Sequence, residues 1–115
     1  MTSQRIWLDY IRDMIDNAHK AISFVQGMDY KSFSSDEKTV YSVVHAIEII
    51  GEAAKKVPNS YRQTYPEIPW REITGTRDKL VHDYFGVNLA VVWRTVQEDL
   101  PILAEQLEGM LKNFQ

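Results

Sequence analysis

The chain has 115 residues, no cysteine and a formal net charge of −3. One domain over residues 1–115 is the expectation, and a chain of this length buries roughly two-thirds of its unfolded surface without a disulfide or metal staple. The missing cysteine excludes disulfides, thiolate zinc sites and a thiol nucleophile, and the acidic balance counts against a protein that coats DNA by neutralising phosphates. The first residues, MTSQRIWLDYIRD, carry charge throughout, and no window approaches the roughly 18 apolar residues of a membrane span. These features predict a soluble, cytoplasmic protein with no membrane and no DNA partner.

From Arg5 to Val25 the apolar residues Trp7, Ile11, Met14, Ala18, Ile22 and Val25 recur at steps of three and four. That is one buried stripe on a helix. Asp9, Asp13, Asp16 and Lys20 take its other sides, and Gly27 is placed to end it. His19 stands among those charges as an exposed residue.

A second helix is expected to open at Ser34-Ser35-Asp36-Glu37, with Ser34 and Glu37 in a reciprocal capping box. Its stripe is Val40, Val43 or Val44, Ile47, Ile50, Ala54 and Val57, stopped by Pro58. The opposite face carries His45, Glu48, Glu52 and Lys55, with Tyr41 one turn earlier. Such a stripe is usually a solvated face, although the spacing also suits a metal site. In a further reading this face meets the next helix, where Glu52 holds Arg77 and His45 joins the cleft.

Residues 58–68 read as a connection with two tyrosines. Pro69 suits the first turn of a third helix carrying Trp70, Ile73, Leu80, Val81 and Phe85, reset near Gly75 and closed by Gly86. Asn88 caps the last helix, whose stripe is Val92 or Trp93, Val96, Leu100, Leu103, Leu107, Met110 and Phe114, kinked or split near Pro101. No segment alternates like a strand. The expected fold is all-α, an antiparallel four-helix bundle.

The third helix ends on TRDKLVHDYFGV, Thr76 to Val87. On a helix Arg77 and Tyr84 share a face about 10 Å apart along the axis, whereas Arg77 and His82 stand about 140° apart around it. One phosphodiester reaches both only if the helix is distorted or a second copy completes the site across a two-fold axis. Asp78, one turn before His82, can fix its tautomer. A guanidinium grips phosphate oxygens, and an imidazole exchanges a proton with a hydroxyl. Together they suit attack of an RNA 2′-hydroxyl on the adjacent phosphate, with no cofactor and no metal. The same residues also read as an ordinary helix end, with cations favouring the dipole and a tyrosine bridging core and water. Arg62, Arg71, Arg77 and Lys79 either form a basic patch around the motif or are ordinary surface. Trp7, Trp70 and Trp93 fall on apolar stripes, as core or dimer contacts rather than a base-stacking platform.

Three stretches, AIEIIGEAAKKV (Ala46–Val57), PEIPWREITGTRDKLVHDYFGV (Pro66–Val87) and VVWRTVQEDLPIL (Val91–Leu103), resemble in order and separation the HepT-like branch of the HEPN domain family. The family's R-x-x-x-x-H-x-Y motif is matched at every position by Arg77, His82 and Tyr84. The resemblance implies an all-helical homodimer and a metal-independent ribonuclease. It also implies a toxin of a two-gene module, silenced by a nucleotidyltransferase antitoxin that can transfer AMP to the motif tyrosine. Arg77 and His82 would then be the catalytic pair and Tyr84 the AMP acceptor, with Asp78, Lys79, Glu52 and His45 in support. The alternatives are a catalytically silent helical adaptor for the nucleotidyltransferase and a bundle that binds a small nucleotide.

Overall fold

The computed structural model describes residues 3–75 and 88–114, and every regular element among them is helical. Helix α1 spans Ser3–Phe24 and buries Trp7, Ile11, Met14 and Ala18 of the expected stripe, with Leu8 and Ala21 added and Ile22 only partly buried. Asn17 is the polar member of that face, 8% exposed, and its amide donates to the Asp13 carbonyl at 2.9 Å. Gly27 comes next with φ +79°, a left-handed turn that L side chains rarely adopt. The Met28 amide closes this turn on the Val25 carbonyl at 2.9 Å.

The next start signal lies elsewhere than the sequence suggests. A short helix, α2 (Tyr30–Ser34), precedes the long one, and its capping box is formed by Asp29 and Ser32. Ser34 is consumed in the last turn of α2, donating to the Lys31 carbonyl at 3.2 Å, so it cannot cap the long helix. Asp36 does so instead, accepting from the Thr39 amide at 3.2 Å. The Ser34–Glu37 box is therefore replaced by two aspartate caps. Hydrogen bonds from Ser32 and Thr39, their backbone amides first, hold the Asp29 and Asp36 carboxyls below the ordinary aspartate value.

Helix α3 (Glu37–Lys55) buries Val43, Val44, Ala46, Ile47, Ile50, Gly51, Ala53 and Ala54. Both valines are inside, with α3 packed mainly against α1. Beyond Pro58, the expected connection contains a six-residue helix, α4 (Asn59–Thr64), whose first amides, Tyr61 and Arg62, donate to the Pro58 carbonyl. It has no apolar period of its own. Tyr61 holds it, stacked on Trp7 with ring centroids 4.1 Å apart. Ile68 and Trp70 are buried next, the Trp70 indole donating to the Tyr65 carbonyl at 3.1 Å. Helical backbone then runs over 70–75, after Pro69 as expected.

Asn88 caps α5 (Leu89–Arg94), accepting from the amides of Ala90 and Val91. A π-helical turn, Thr95–Asp99, joins it to α6 (Leu100–Lys112). Proline at 101 offers no N–H to the Gln97 carbonyl, and the ladder widens just before it, with the Leu100 amide reaching back five residues to Thr95. The predicted kink at Pro101 takes this form. Val92, Val96, Leu100, Leu103, Leu107 and Met110 are buried across the turn, so the apolar stripe survives it.

Antiparallel packing of α1 and α6 is visible in its endpoints. Trp7, early in α1, meets Phe114 just beyond α6 at 4.9 Å, ring edge to face. His19, later in α1, meets Glu108, earlier in α6, at 2.7 Å. His19 is exposed, as expected, and it also links the two helices. Among the described residues, no helix is long and apolar enough to cross a membrane.

Candidate functional site

Arg77, Asp78, Lys79, His82 and Tyr84, with Gly86, lie outside the described residues. The structure describes the two ends between which they run. One is the helical stretch over 70–75, and the other is Asn88 at the cap of α5.

The polar face of α3 is where the sequence puts it. His45, Glu48 and Glu52 succeed one another at steps of three and four and line one groove of about 300 Å³. Helix α1 supplies the other wall with Tyr10 and Asp13, and Ile49, Ala53 and Lys56 complete it. Tyr10 and Asp13 carry no sequence signal of their own, because only the pairing of α1 with α3 brings them here. The structure therefore joins His45 to Glu52.

The balance of this groove, three carboxylates against one ammonium, sets what it attracts. Alone it repels a phosphate and favours a cation such as a guanidinium. That charge balance suits a groove that holds an arginine in place better than one that binds RNA directly. Among the described residues, no three His, Asp or Glu side chains are arranged to hold a metal ion.

A second groove, about 320 Å³, lies between α3, residues 67–73 and the α5–α6 arm. Its floor is Ile47, Ile50, Leu100 and Leu103, and its rim carries Glu67, Glu72 and Asp99. Gln106 ties the rim together by donating to the Glu67 carbonyl at 3.0 Å. Ile73, on its wall, is three residues from Thr76, where the motif stretch begins.

The described members of the basic set differ in setting. Arg62 is half-buried on α4, and its Nε has no hydrogen-bond partner among the described residues; Arg71 is exposed. Among the tryptophans, Trp7 and Trp70 are core residues, 1% and 8% exposed, whereas Trp93 is only half-buried.

With this geometry in view, comparison with known proteins is decisive for the family. The family described as ribonuclease HepT-like matches residues 14–110. A Thermococcus cleftensis protein named "probable ribonuclease HepT" is 43% identical over 104 residues, covering 90% of this chain and 94% of its own. A Methanocaldococcus jannaschii protein named as a candidate RNase is 37% identical over 106 residues, covering 92% and 91%. A similarly named protein of Caldanaerobacter subterraneus is 36% identical over 103 residues, covering 90% and 92%. No solved structure gives a significant match. The all-helical fold, the motif spacing and a match running through α1, α3 and the α5–α6 arm lead to one conclusion: the chain belongs to the HepT-like ribonuclease family.

Proposed function

We propose that the protein is a metal-independent endoribonuclease and the toxin of a two-gene module. The observation that carries this reading is the family match over residues 14–110, which spans every position of the R-x-x-x-x-H-x-Y motif from Arg77 to Tyr84. His82 takes the proton from an RNA 2′-hydroxyl, whose oxygen then attacks the adjacent phosphorus. The bond to the 5′-oxygen of the next nucleotide breaks, and that oxygen leaves with the proton returned by His82. The products are a 2′,3′-cyclic phosphate end and a 5′-hydroxyl end. Arg77 stabilises the charge gathering on the phosphate oxygens.

The acidic α1–α3 groove supports a positioning role for Glu52 toward Arg77, with His45 beside it. Asp78 orients the His82 ring, and Lys79 adds positive charge near the RNA. The active unit is a homodimer of a single-domain chain, 1–115, in which paired motifs share one cleft; the setting is the cytoplasm. The partner is a nucleotidyltransferase antitoxin. AMP placed on Tyr84 adds bulk and negative charge two residues from His82, which blocks the cleft and repels RNA phosphate.

The test is His82→Ala. Removing a general acid–base group costs roughly 10²–10⁴-fold in rate. The variant is expected to keep its helical circular dichroism and lose RNA cleavage and toxicity. Cleavage by the variant equal to wild type sinks the role of His82, and absence of cleavage by the wild-type protein leaves the adaptor reading.

A further inference from the structure

The groove between α3, residues 67–73 and the α5–α6 arm combines an apolar floor with an acidic rim. The floor, Ile47, Ile50, Leu100 and Leu103, belongs to the core and is at most 5% exposed. Ile102, on the α6 wall, is 59% exposed, an aliphatic side chain left in water beside that floor. Ile73 and Pro69 continue the apolar lining on the facing wall. A cavity of about 150 Å³ takes a benzene, so the 320 Å³ here holds a pair of leucine-sized side chains.

The charged side chains that line the groove among the described residues are all carboxylates: Glu67, Glu72 and Asp99. Glu72 has a further interaction of its own. Glu67 and Asp99 form no ion pair among the described residues. Arg71, exposed and next to Glu72 in sequence, is not among the lining residues and offsets at most one carboxylate of the three. Gln106 holds the Glu67 carbonyl at 3.0 Å, and Asp99 precedes Gln106 by seven residues, about 10 Å along the arm. Glu67 and Asp99 therefore stand toward opposite ends of the apolar floor.

We infer that this groove docks a helix of another protein, one that presents two adjacent leucine-like side chains between cations seven residues apart. An amphipathic helix lays its apolar face into such a groove through anchors at i, i+3, i+4 and i+7. Residues i and i+7 share a helix face and lie about 10 Å apart, which matches the run from Asp99 to the Glu67 end, and i+3 and i+4 fall between them over the floor. Charge sets the sign of the partner. Carboxylates at both ends repel an acidic helix or a nucleic-acid strand and attract lysine or arginine. A second copy placed face to face would set the same carboxylates against one another. Burial of the apolar pair and of Ile102 supplies affinity, and the acids fix register. The dock is independent of the ribonuclease reading.

The experiment titrates the full-length protein into a fluorescein-labelled, alanine-based helical peptide with leucines at i+3 and i+4 between lysines at i and i+7, read by fluorescence polarisation. Saturable binding is expected, and a peptide with glutamates in place of the lysines should not bind. Ile102→Ser, at an exposed position, should keep the helical circular dichroism and weaken binding about tenfold, as expected for burying an isoleucine that starts more than half exposed. Glu67→Gln with Asp99→Asn should weaken it about fivefold and flatten its salt dependence. His82→Ala should bind as wild type does. No saturable binding below about 1 mM, equal affinity for the glutamate peptide, or unchanged affinity in both Ile102→Ser and the double variant overturns the dock. Sedimentation tests the other occupant: a wild-type dimer that Ile102→Ser converts to monomer gives the groove to a second copy and defeats the proposal.

Discussion

Phe114 sits two residues beyond α6, yet it is expected to matter as much as many core residues. Its ring meets Trp7 at 4.9 Å, Tyr61 at 5.9 Å and Tyr65 at 6.4 Å, so it closes an aromatic cluster built from three separated parts of the chain. Phe114→Ala removes a half-buried side chain. Half of the roughly 1.5–3 kcal/mol for full burial gives about 1 kcal/mol. The edge-to-face pair with Trp7 adds about 0.5–1.5 kcal/mol beyond area, for a total near 2 kcal/mol. A domain of this size loses roughly 4 °C in Tm per kcal/mol, so the variant should melt about 8 °C lower. Thermal unfolding by circular dichroism reads this directly. A cycle with Trp7→Leu isolates the ring–ring contribution, expected at about 1 kcal/mol. A drop below 2 °C with no coupling in the cycle would refute the idea that this cluster latches α4 and the chain's end onto α1.

Removing the Asn88 cap should cost about 1 kcal/mol, or roughly 4 °C. Asn88→Ala should show it and Asn88→Asp should not. Ser34→Ala should be near neutral while Asp36→Ala lowers Tm, since the cap of α3 belongs to the aspartate. Asp29 and Asp36 have carboxyls held below their ordinary value of 3.8, so their contribution is fully present above that pH. It should be lost as pH falls through the lowered folded values. A Tm series from pH 6 down to 2 should show that fall, and Asp36→Asn should make it shallower.

The long helices are legible because burial keeps a 3.6-residue period: the stripes of α1, α3 and the α5–α6 arm are the ones the chain spells out. Asn88 is legible too, as a lone side chain that can cap beside an apolar run. The starts near residue 30 differ from expectation because Asp29, Ser32, Ser34, Ser35 and Asp36 all suit a cap, and the sequence does not say which turn each one serves. Helix α4 escapes a sequence reading for lack of an apolar period, since its anchor, Tyr61 on Trp7, is a tertiary contact. The link made by His19 is hidden for the same cause, its partner Glu108 being 89 residues away in sequence. At the candidate site, the α3 stripe His45–Glu48–Glu52 is readable, but its partners Tyr10 and Asp13 need the helix pairing. Trp93 sits on the stripe by spacing and is half-open only because Phe33 takes the inner position against it.

The most direct test of the central claim is end-group analysis of RNA incubated with purified protein in excess chelator. The account predicts 2′,3′-cyclic phosphate and 5′-hydroxyl ends from wild type, and intact RNA from Arg77→Ala and His82→Ala of unchanged helicity. Cleavage that stops with the chelator, or that leaves 3′-hydroxyl ends, would contradict it.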